Sequence, residues 1–540
     1  MKRDVEQSGR DVVKAASGGA LVLMLGNVCY LLTRVALPPI VLRHVGLEEY
    51  GLWALAFVLI GYLGMGAFGV SNVYIRYVAA YRARGDMDAI NRLLTTGLAF
   101  TSSVAVVLLA VIWLAMPSLV SLLGVAPNLR TEATTILFAA CAAFLLDLAF
   151  GAFSNILLGL ERVSAHTAVW VGGSIFEALV LVMLLESGHG VSALPIAFAL
   201  RLSSVIVASA TLCRRALPGL TVAPRFFDRG ALRLFVGFGG VVQVAGILSI
   251  FLYSVEKLIA AVFLGPASAG IFDVGEKFAV MVSGIPASLN GVLLAPVARM
   301  STASTSSSAA AFFLTASRWV SMPAGVMMAF LSAFAPAVIT AWMGPDPRLT
   351  DAAFILTVFS LAFHVHVVTG PASAWYRGIA EPARELFYPL TQMTLVAIFV
   401  ATGFAVAGRS IAVVTVTVAA AMVGSAIAYS SWTARRVGAP ISRLVAQVYI
   451  PGFVPYLVAA ASRPLVQAML GSQYASRADA VATLAAGGVL YGLAIAALLW
   501  TTILDAAEKK SCRGALARLL PGRLSQAAVP AFQSADGGNL

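Results

Sequence analysis

Charge is what this sequence has least of. Only 11% of its 540 residues are Asp, Glu, Lys or Arg, against roughly a quarter in soluble domains, and 60% are hydrophobic. That scarcity excludes an ordinary soluble globular chain. Cysteine is also scarce: Cys29, Cys141 and Cys213 lie in or beside apolar runs and Cys512 in a polar tail, a distribution that gives no secreted disulfide framework. No Gly-Lys-Ser/Thr phosphate loop and no paired Cys/His metal spacing occur, so neither nucleotide hydrolysis nor a metal centre is read, and no cofactor is expected. The net charge of +12 is spread over short connections. A nucleic-acid groove would need clustered Lys and Arg with interleaved aromatics, so no nucleic-acid partner is expected.

What the chain does have is apolar runs. At about 20 residues per membrane span, the runs predict fourteen helices, near 17–42, 51–75, 93–123, 133–158, 165–185, 191–212, 233–264, 268–298, 309–343, 352–376, 387–407, 410–434, 445–462 and 481–504. The fold class is therefore an all-α polytopic membrane protein of about 14 transmembrane helices. The first run, Gly18 to Leu42, is too long for a cleaved signal peptide and stays in the mature chain. With a cytoplasmic N-terminus, 25 of the 36 basic residues fall in inside segments and six in outside loops. This bias places both termini in the cytoplasm.

The longest inside connection, "RRALPGLTVAPRFFDRGALR", separates two blocks of six helices. The expected organisation is an N-terminal segment (1–16), a six-helix lobe (17–213), a linker (214–232), a second six-helix lobe (233–434), two further helices (435–504) and a polar cytoplasmic tail (505–540). A repeat supports the two lobes: "GLEEYGLW" at Gly46–Trp53 matches "GPASAGIF" at Gly265–Phe272, at an offset of 219 residues. Two like-oriented halves facing a central cleft are a common transporter plan.

Ionisable side chains inside spans cost about 2.5–3.5 kcal/mol each on insertion scales and face the bundle interior, a partner or a wet cavity. This chain has ten: Arg34, Arg201, Lys257, Lys277 and Arg318 with Asp147, Glu177, Glu256, Asp273 and Glu276, while Arg76 stands at the inner end of the second span. In a hairpin turning near Ala267, depth matching pairs Lys257 with Glu276 and Glu256 with Lys277. Asp273 and Lys277 are also i, i+4 neighbours. Two readings stay open for this cluster, a stitch between spans seven and eight or polar groups lining a cleft. Arg34 and Arg318 have no carboxylate nearby in sequence, which makes them candidate free cations for an anionic ligand. Glu177 and Arg201 on neighbouring spans are expected to pair, and Asp147 is isolated. His364 and His366 fall on roughly opposite helix faces, which argues against a shared metal. Trp53, Trp342, Trp375 and Trp500 near span ends read as interfacial belt residues.

The stretch "VLRHVGLEEYGLWALAFVLIGYLGMGAFGVSNVYIRYVAAYRARGDMDAINRLLTTGL" resembles the start of the polysaccharide flippases of the Wzx and teichoic-acid exporter type. The stretch "VEKLIAAVFLGPASAGIFDVGEKFAVMVSGIPASLNGVLLAPVARM" is similar to their seventh and eighth helices, with Glu256, Leu264-Gly265, Phe272 and Pro296 at the recurring positions. Their superfamily also holds multidrug antiporters and the lipid II flippase. The resemblance implies two six-helix lobes in a V shape plus two C-terminal helices. It also implies transfer of an undecaprenyl-pyrophosphate-linked oligosaccharide across a bacterial inner membrane by alternating access, for O-antigen, capsule or exopolysaccharide. Arg34, Arg76, Lys257, Lys277 and Arg318 would then line the diphosphate and sugar cleft, with Asp147, Glu256, Asp273 and Glu276 as a coupling or ion-pair network. The partners implied are lipid-linked oligosaccharide, membrane lipids and other polysaccharide-assembly proteins. A cation-coupled small-molecule antiporter of the same fold is the alternative. A membrane glycosyltransferase using Glu48 and Glu49 would need a larger outside domain than these short loops supply, so no enzyme is expected. A non-transporting scaffold would tolerate neutral substitutes for the interior charges.

Overall fold

The computed structural model of the chain describes residues 26, 28–64, 70–235, 254–290, 293, 297, 306–379, 381–503 and 509. Among the described residues every regular element is helical. The first lobe contains α1 (28–44), α2 (Leu47–Leu63), α3 (Val70–Ala83), α4 (Met87–Leu122), α5 (Arg130–Phe150), α6 (Ala152–Gly159), α7 (Val163–Glu186) and α8 (Ala193–Ala216). The second contains α9 (Val255–Leu264), α10 (Pro266–Ala287), α11 (Ser306–Ala333), α12 (Ala335–Met343), α13 (Thr350–Val367), α14 (Gly370–Gly378), α15 (Phe387–Ala407) and α16 (Ile411–Arg436). Two terminal helices follow: α17 (441–470), with one π turn at Val445–Tyr449, and α18 (Arg477–Leu498).

Nine helices among the described residues are long and apolar enough to cross a membrane, and one bent pair makes a tenth. Of the other four expected spans, the first, second and seventh run into residues outside those described. The eighth is helical over Pro266–Ala287 and carries Asp273, Glu276 and Lys277 within its apolar run. Helix α4 has 36 residues, about 54 Å of helix, against roughly 30 Å of hydrocarbon, so one end projects beyond the bilayer. It starts where the Asp86 side chain accepts from Ala89 N at 2.8 Å, a helix cap of the ordinary kind.

The predicted span 309–343 is broken. Helices α11 and α12 meet at 71°, because Pro336 has no N–H to give to the carbonyl of Ser332. That carbonyl accepts instead from Thr357 Oγ1 at 3.2 Å, while Ser332 Oγ donates to Thr357 O at 3.0 Å. A neighbouring helix thereby satisfies the freed group, as hydrocarbon surroundings require.

In the first lobe α5 packs on α4, α8 and α2; in the second α13 packs on α10, α11 and α16. One continuous apolar core spans both lobes, including Leu37, Leu52, Phe272 and Phe359. The lobes meet chiefly where α2 lies along α10. Helices α17 and α18 pack on α11 and α12 respectively. The belt expectation fails for Trp53, which is buried in this core against Phe57 and Phe198, since α2 turns that face toward the rest of its own lobe.

Candidate functional site

The two copies of the repeat touch each other. Gly51 of the first and Gly270 of the second, 219 positions apart, face one another where α2 crosses α10. A β-carbon on Gly270 would lie 3.2 Å from Gly51 Cα and 3.1 Å from Leu47 O, and one on Gly51 would overlap Pro266 O. Only glycine permits so close a backbone approach. Tyr50, beside Gly51, donates its hydroxyl to Asp273 Oδ2 across the seam at 2.7 Å. A second link comes from Trp342, whose Nε1 donates to Val35 O at 2.6 Å. That carbonyl is available because Pro39, four residues on, has no N–H to occupy it. Trp342 is therefore a bridge between α12 and α1 rather than a belt residue.

Behind this seam in the second lobe lies a chain of buried and half-buried charges. Lys257 Nζ contacts Asp273 Oδ1 at 2.9 Å and Glu276 Oε1 at 2.7 Å. Lys277 Nζ contacts Asp273 Oδ2 at 2.8 Å. The predicted Lys257–Glu276 and Asp273–Lys277 contacts are both present. The predicted Glu256–Lys277 pair is absent: one helical turn already brings Lys277 to Asp273, and Glu256 faces Glu276 instead, within hydrogen-bonding range. Both of these carboxyls are buried, at 2% and 3% exposure, and Glu256 Oε1 has no hydrogen-bond partner. A hydrogen bond between two carboxyl groups requires one shared proton. With it, the cluster of two lysines and three acids is neutral.

A second cluster fills the first lobe. Arg34 Nη2 on α1 meets Glu177 Oε2 on α7 at 2.6 Å, and Arg201 Nη1 on α8 reaches the same oxygen at 3.3 Å. The Glu177–Arg201 pair is thus present, but the expectation that Arg34 is a free cation is corrected, because its carboxylate partner lies 143 residues away and no sequence window reveals it. Both guanidiniums lie over the Tyr30 ring, at 4.9 and 5.8 Å. Asp147, on α5, makes no ion pair among the described residues; its electrostatic interaction is with Arg201. One carboxylate shared by two forks leaves donors over, and the Nε of each arginine is buried without a partner.

Arg76 on α3 sits with its guanidinium 5.5 Å from the Tyr77 ring, and Arg318 is half-buried on α11; neither builds these two clusters. His364 and His366 do separate as expected. His364 meets Ser321 at 3.2 Å and His366 meets the Tyr388 hydroxyl at 2.6 Å. Sequence reasoning missed Tyr50, Tyr30 and the role of Trp342. Tyr50 carried a signal, since it lies inside the repeat, and "LPP" at Leu37–Pro39 announces carbonyls in need of donors.

The first-lobe cluster has more guanidinium donors than its carboxylate can use, and the second-lobe cluster has more carboxylates than lysines. No curated protein matches the chain. Solved structures do: a lipid II flippase MurJ in an inward closed conformation aligns with TM-score 0.66 at 12% identity, covering 90% of this chain and 99% of that one. An inward-facing multidrug resistance MATE family transporter of the MOP superfamily aligns at 0.62 with 15% identity, covering 76% and 94%. At such identities the likeness is one of fold. The sequence itself matches the family described as polysaccharide biosynthesis protein over residues 17–302, more than half its length, and the chain belongs to that family.

Proposed function

We propose that this chain is a transporter that flips an undecaprenyl-pyrophosphate-linked oligosaccharide from the cytoplasmic to the outer leaflet of a bacterial inner membrane by alternating access, for surface polysaccharide assembly. The observation that carries the reading is the convergence of Arg34 and Arg201 on the single carboxylate of Glu177. Two guanidinium forks hold more donors than one carboxylate can use, and a diphosphate presents oxygens at the spacing such forks bind. A lipid diphosphate cannot cross roughly 30 Å of hydrocarbon unaided. In this reading the first-lobe cluster receives the headgroup, Lys257, Lys277, Arg76 and Arg318 line its path, and the lipid tail remains in the bilayer.

Glu256 and Glu276, with Asp147 and Asp273, are the coupling groups. Adding or removing the proton between Glu256 and Glu276 changes what Lys257 must neutralise, and Lys257 holds Asp273, which in turn holds Tyr50 of the other lobe. A proton in one lobe thereby acts on the closure between lobes. The distribution of Lys and Arg supports cytoplasmic termini; in that orientation the glycine seam is the outer gate, closed by the contact of α2 with α10. The domain bounds proposed are 17–213 and 233–434 for the lobes, 435–504 for the terminal pair and 505–540 for the tail.

Arg34→Ala and Arg201→Ala should abolish surface polysaccharide while membrane levels of the protein persist. Normal polysaccharide in both stable variants sinks the assignment. A deletion strain with an intact coat and altered drug tolerance would identify the small-molecule antiporter instead.

A further inference from the structure

A shallow, open pocket of about 570 Å³ lies on the glycine-turn side, lined by Arg43 of α1, the turn Met343–Asp346 after α12, and Ala475–Ala478 at the start of α18. It lies apart from both buried clusters, and three separate parts of the fold meet in it. Arg477 Nη2 donates to Met343 O at 3.1 Å, which ties α18 to the second lobe. Next to Met343, Trp342 ties α12 to α1 through Val35. Arg43 follows Val35 by eight residues on α1, about 12 Å along the helix axis. A ring of links, from α1 to α12 to α18, thus lacks one member: the step from Arg477 back to Arg43.

Those two residues are both cations, so they cannot close the ring by themselves. The two carboxylates beside the pocket are already taken. Asp346 binds Arg348 through Nε at 3.0 and 3.1 Å and Nη2 at 2.7 Å, and Asp479 is engaged with the Ser476 backbone at 2.9 Å in the α18 cap. Arg43 makes no ion pair among the described residues. Gly344, at φ 93°, puts no side chain against the Arg477 guanidinium, whose Nε would be 3.4 Å from a β-carbon there.

We propose that this pocket binds a phosphate-bearing anion between Arg43 and Arg477, and that the bound anion holds the lobes together at this end. Guanidinium groups suit phosphate oxygens by charge and by planar geometry. Because the ligand would bridge α1 and α18, it favours the closed arrangement by whatever affinity is lost when the two arginines separate. Its source is either the phosphate of an anionic lipid headgroup or a soluble phosphate compound. The site is distinct from the substrate cluster proposed above, and the side it faces rests on the topology of that proposal.

The test titrates the full-length protein in neutral detergent with inorganic diphosphate by calorimetry, and in parallel compares its thermal stability in nanodiscs of phosphatidylglycerol and of phosphatidylcholine. Wild type, R43Q, R477Q and R34Q are compared. Binding of diphosphate that weakens at least about tenfold in R43Q, the loss expected for one charge-assisted contact, and persists in R34Q supports a soluble ligand. Stabilisation by phosphatidylglycerol that R43Q removes and R34Q retains supports a lipid headgroup. Arg43 is exposed, so R43Q remains informative even if R477Q, which also loses the Met343 bond, fails to fold. Binding that R34Q abolishes and R43Q leaves intact assigns the anion to the first-lobe cluster and overturns this site while sparing the proposed function. No response in either arm also overturns it.

Discussion

Replacing Gly51 by alanine should open the seam between the lobes. The new β-carbon would fall inside the van der Waals envelope of Pro266 O, a backbone atom that cannot rotate away, so α2 and α10 must separate by about an ångström or more. Overpacking of this kind costs roughly 1–3 kcal/mol. The same separation breaks the 2.7 Å hydrogen bond from Tyr50 to the Asp273 carboxylate, worth about 1.5–3 kcal/mol for a charged acceptor. Even about 2.7 kcal/mol in total shifts a two-state equilibrium roughly a hundredfold. Gly270→Ala should act more weakly, because its β-carbon meets Leu47 O and the Gly51 backbone at 3.1–3.2 Å, which a few tenths of an ångström relieve. Spin labels at Thr131 and Thr350, both exposed near this end of their lobes, would read the change by pulsed dipolar spectroscopy in a cysteine-free background. The ordering expected is a large shift to longer distances for G51A, a smaller one for G270A and none for wild type. An unchanged distribution in G51A refutes the seam as the point of closure.

Trp342→Phe removes the donor to Val35 O and leaves that carbonyl unsatisfied beside Pro39, at a cost of about 1–3 kcal/mol; the melting temperature should fall and the same label pair should broaden. Glu177→Ala strands the buried guanidinium of Arg201 and the half-buried one of Arg34 and should destabilise the protein by about 3–5 kcal/mol, seen as a loss of folded protein on size-exclusion profiles, whereas Arg201→Gln should retain fold because Arg34 keeps its partner. In the linker, the Asp228 carboxylate accepts from Gly230 N at 2.9 Å and Ala231 N at 3.1 Å, and these bonds lower its pKa. A lowered value means the stabilisation is present above the ordinary carboxylate range, near 3.9, and is lost as pH falls below it. Amide exchange at Gly230 and Ala231 should therefore accelerate under acid and in Asp228→Ala at neutral pH. Unaltered exchange in that variant would remove the carboxylate from the account.

The helices were legible because apolar runs record the bilayer directly. The repeat at Gly46 and Gly265 was legible too, and with it the hairpin contact between Lys257 and Glu276, since equal distance from a turn fixes equal depth. What escaped depends on rotation about helix axes and on helices remote in sequence. Depth alone paired Glu256 with Lys277, yet helical phase turned Lys277 toward Asp273 and left Glu256 against Glu276. Arg34 looked unpartnered for the same reason, because Glu177 lies on a helix six elements later. Trp53 and Trp342 sat at span ends, where composition suggests the interface, but the face each presents is set by tertiary packing.

The seam has one more consequence, which lies in its broken symmetry. A contact between equivalent glycines has the self-complementary character of a two-fold dimer interface, and such an interface would be expected to carry every side-chain bond twice. Here the counterparts of Tyr50 and Asp273 at the 219-residue offset are Ala269 and Ala54, both buried and both without a polar group. The backbone contact is therefore indifferent to which lobe is which, while the hydrogen bond is not: one half always donates and the other always accepts. This chain places the asymmetry in a single pair of side chains, and with it a polarity that the glycines alone do not possess.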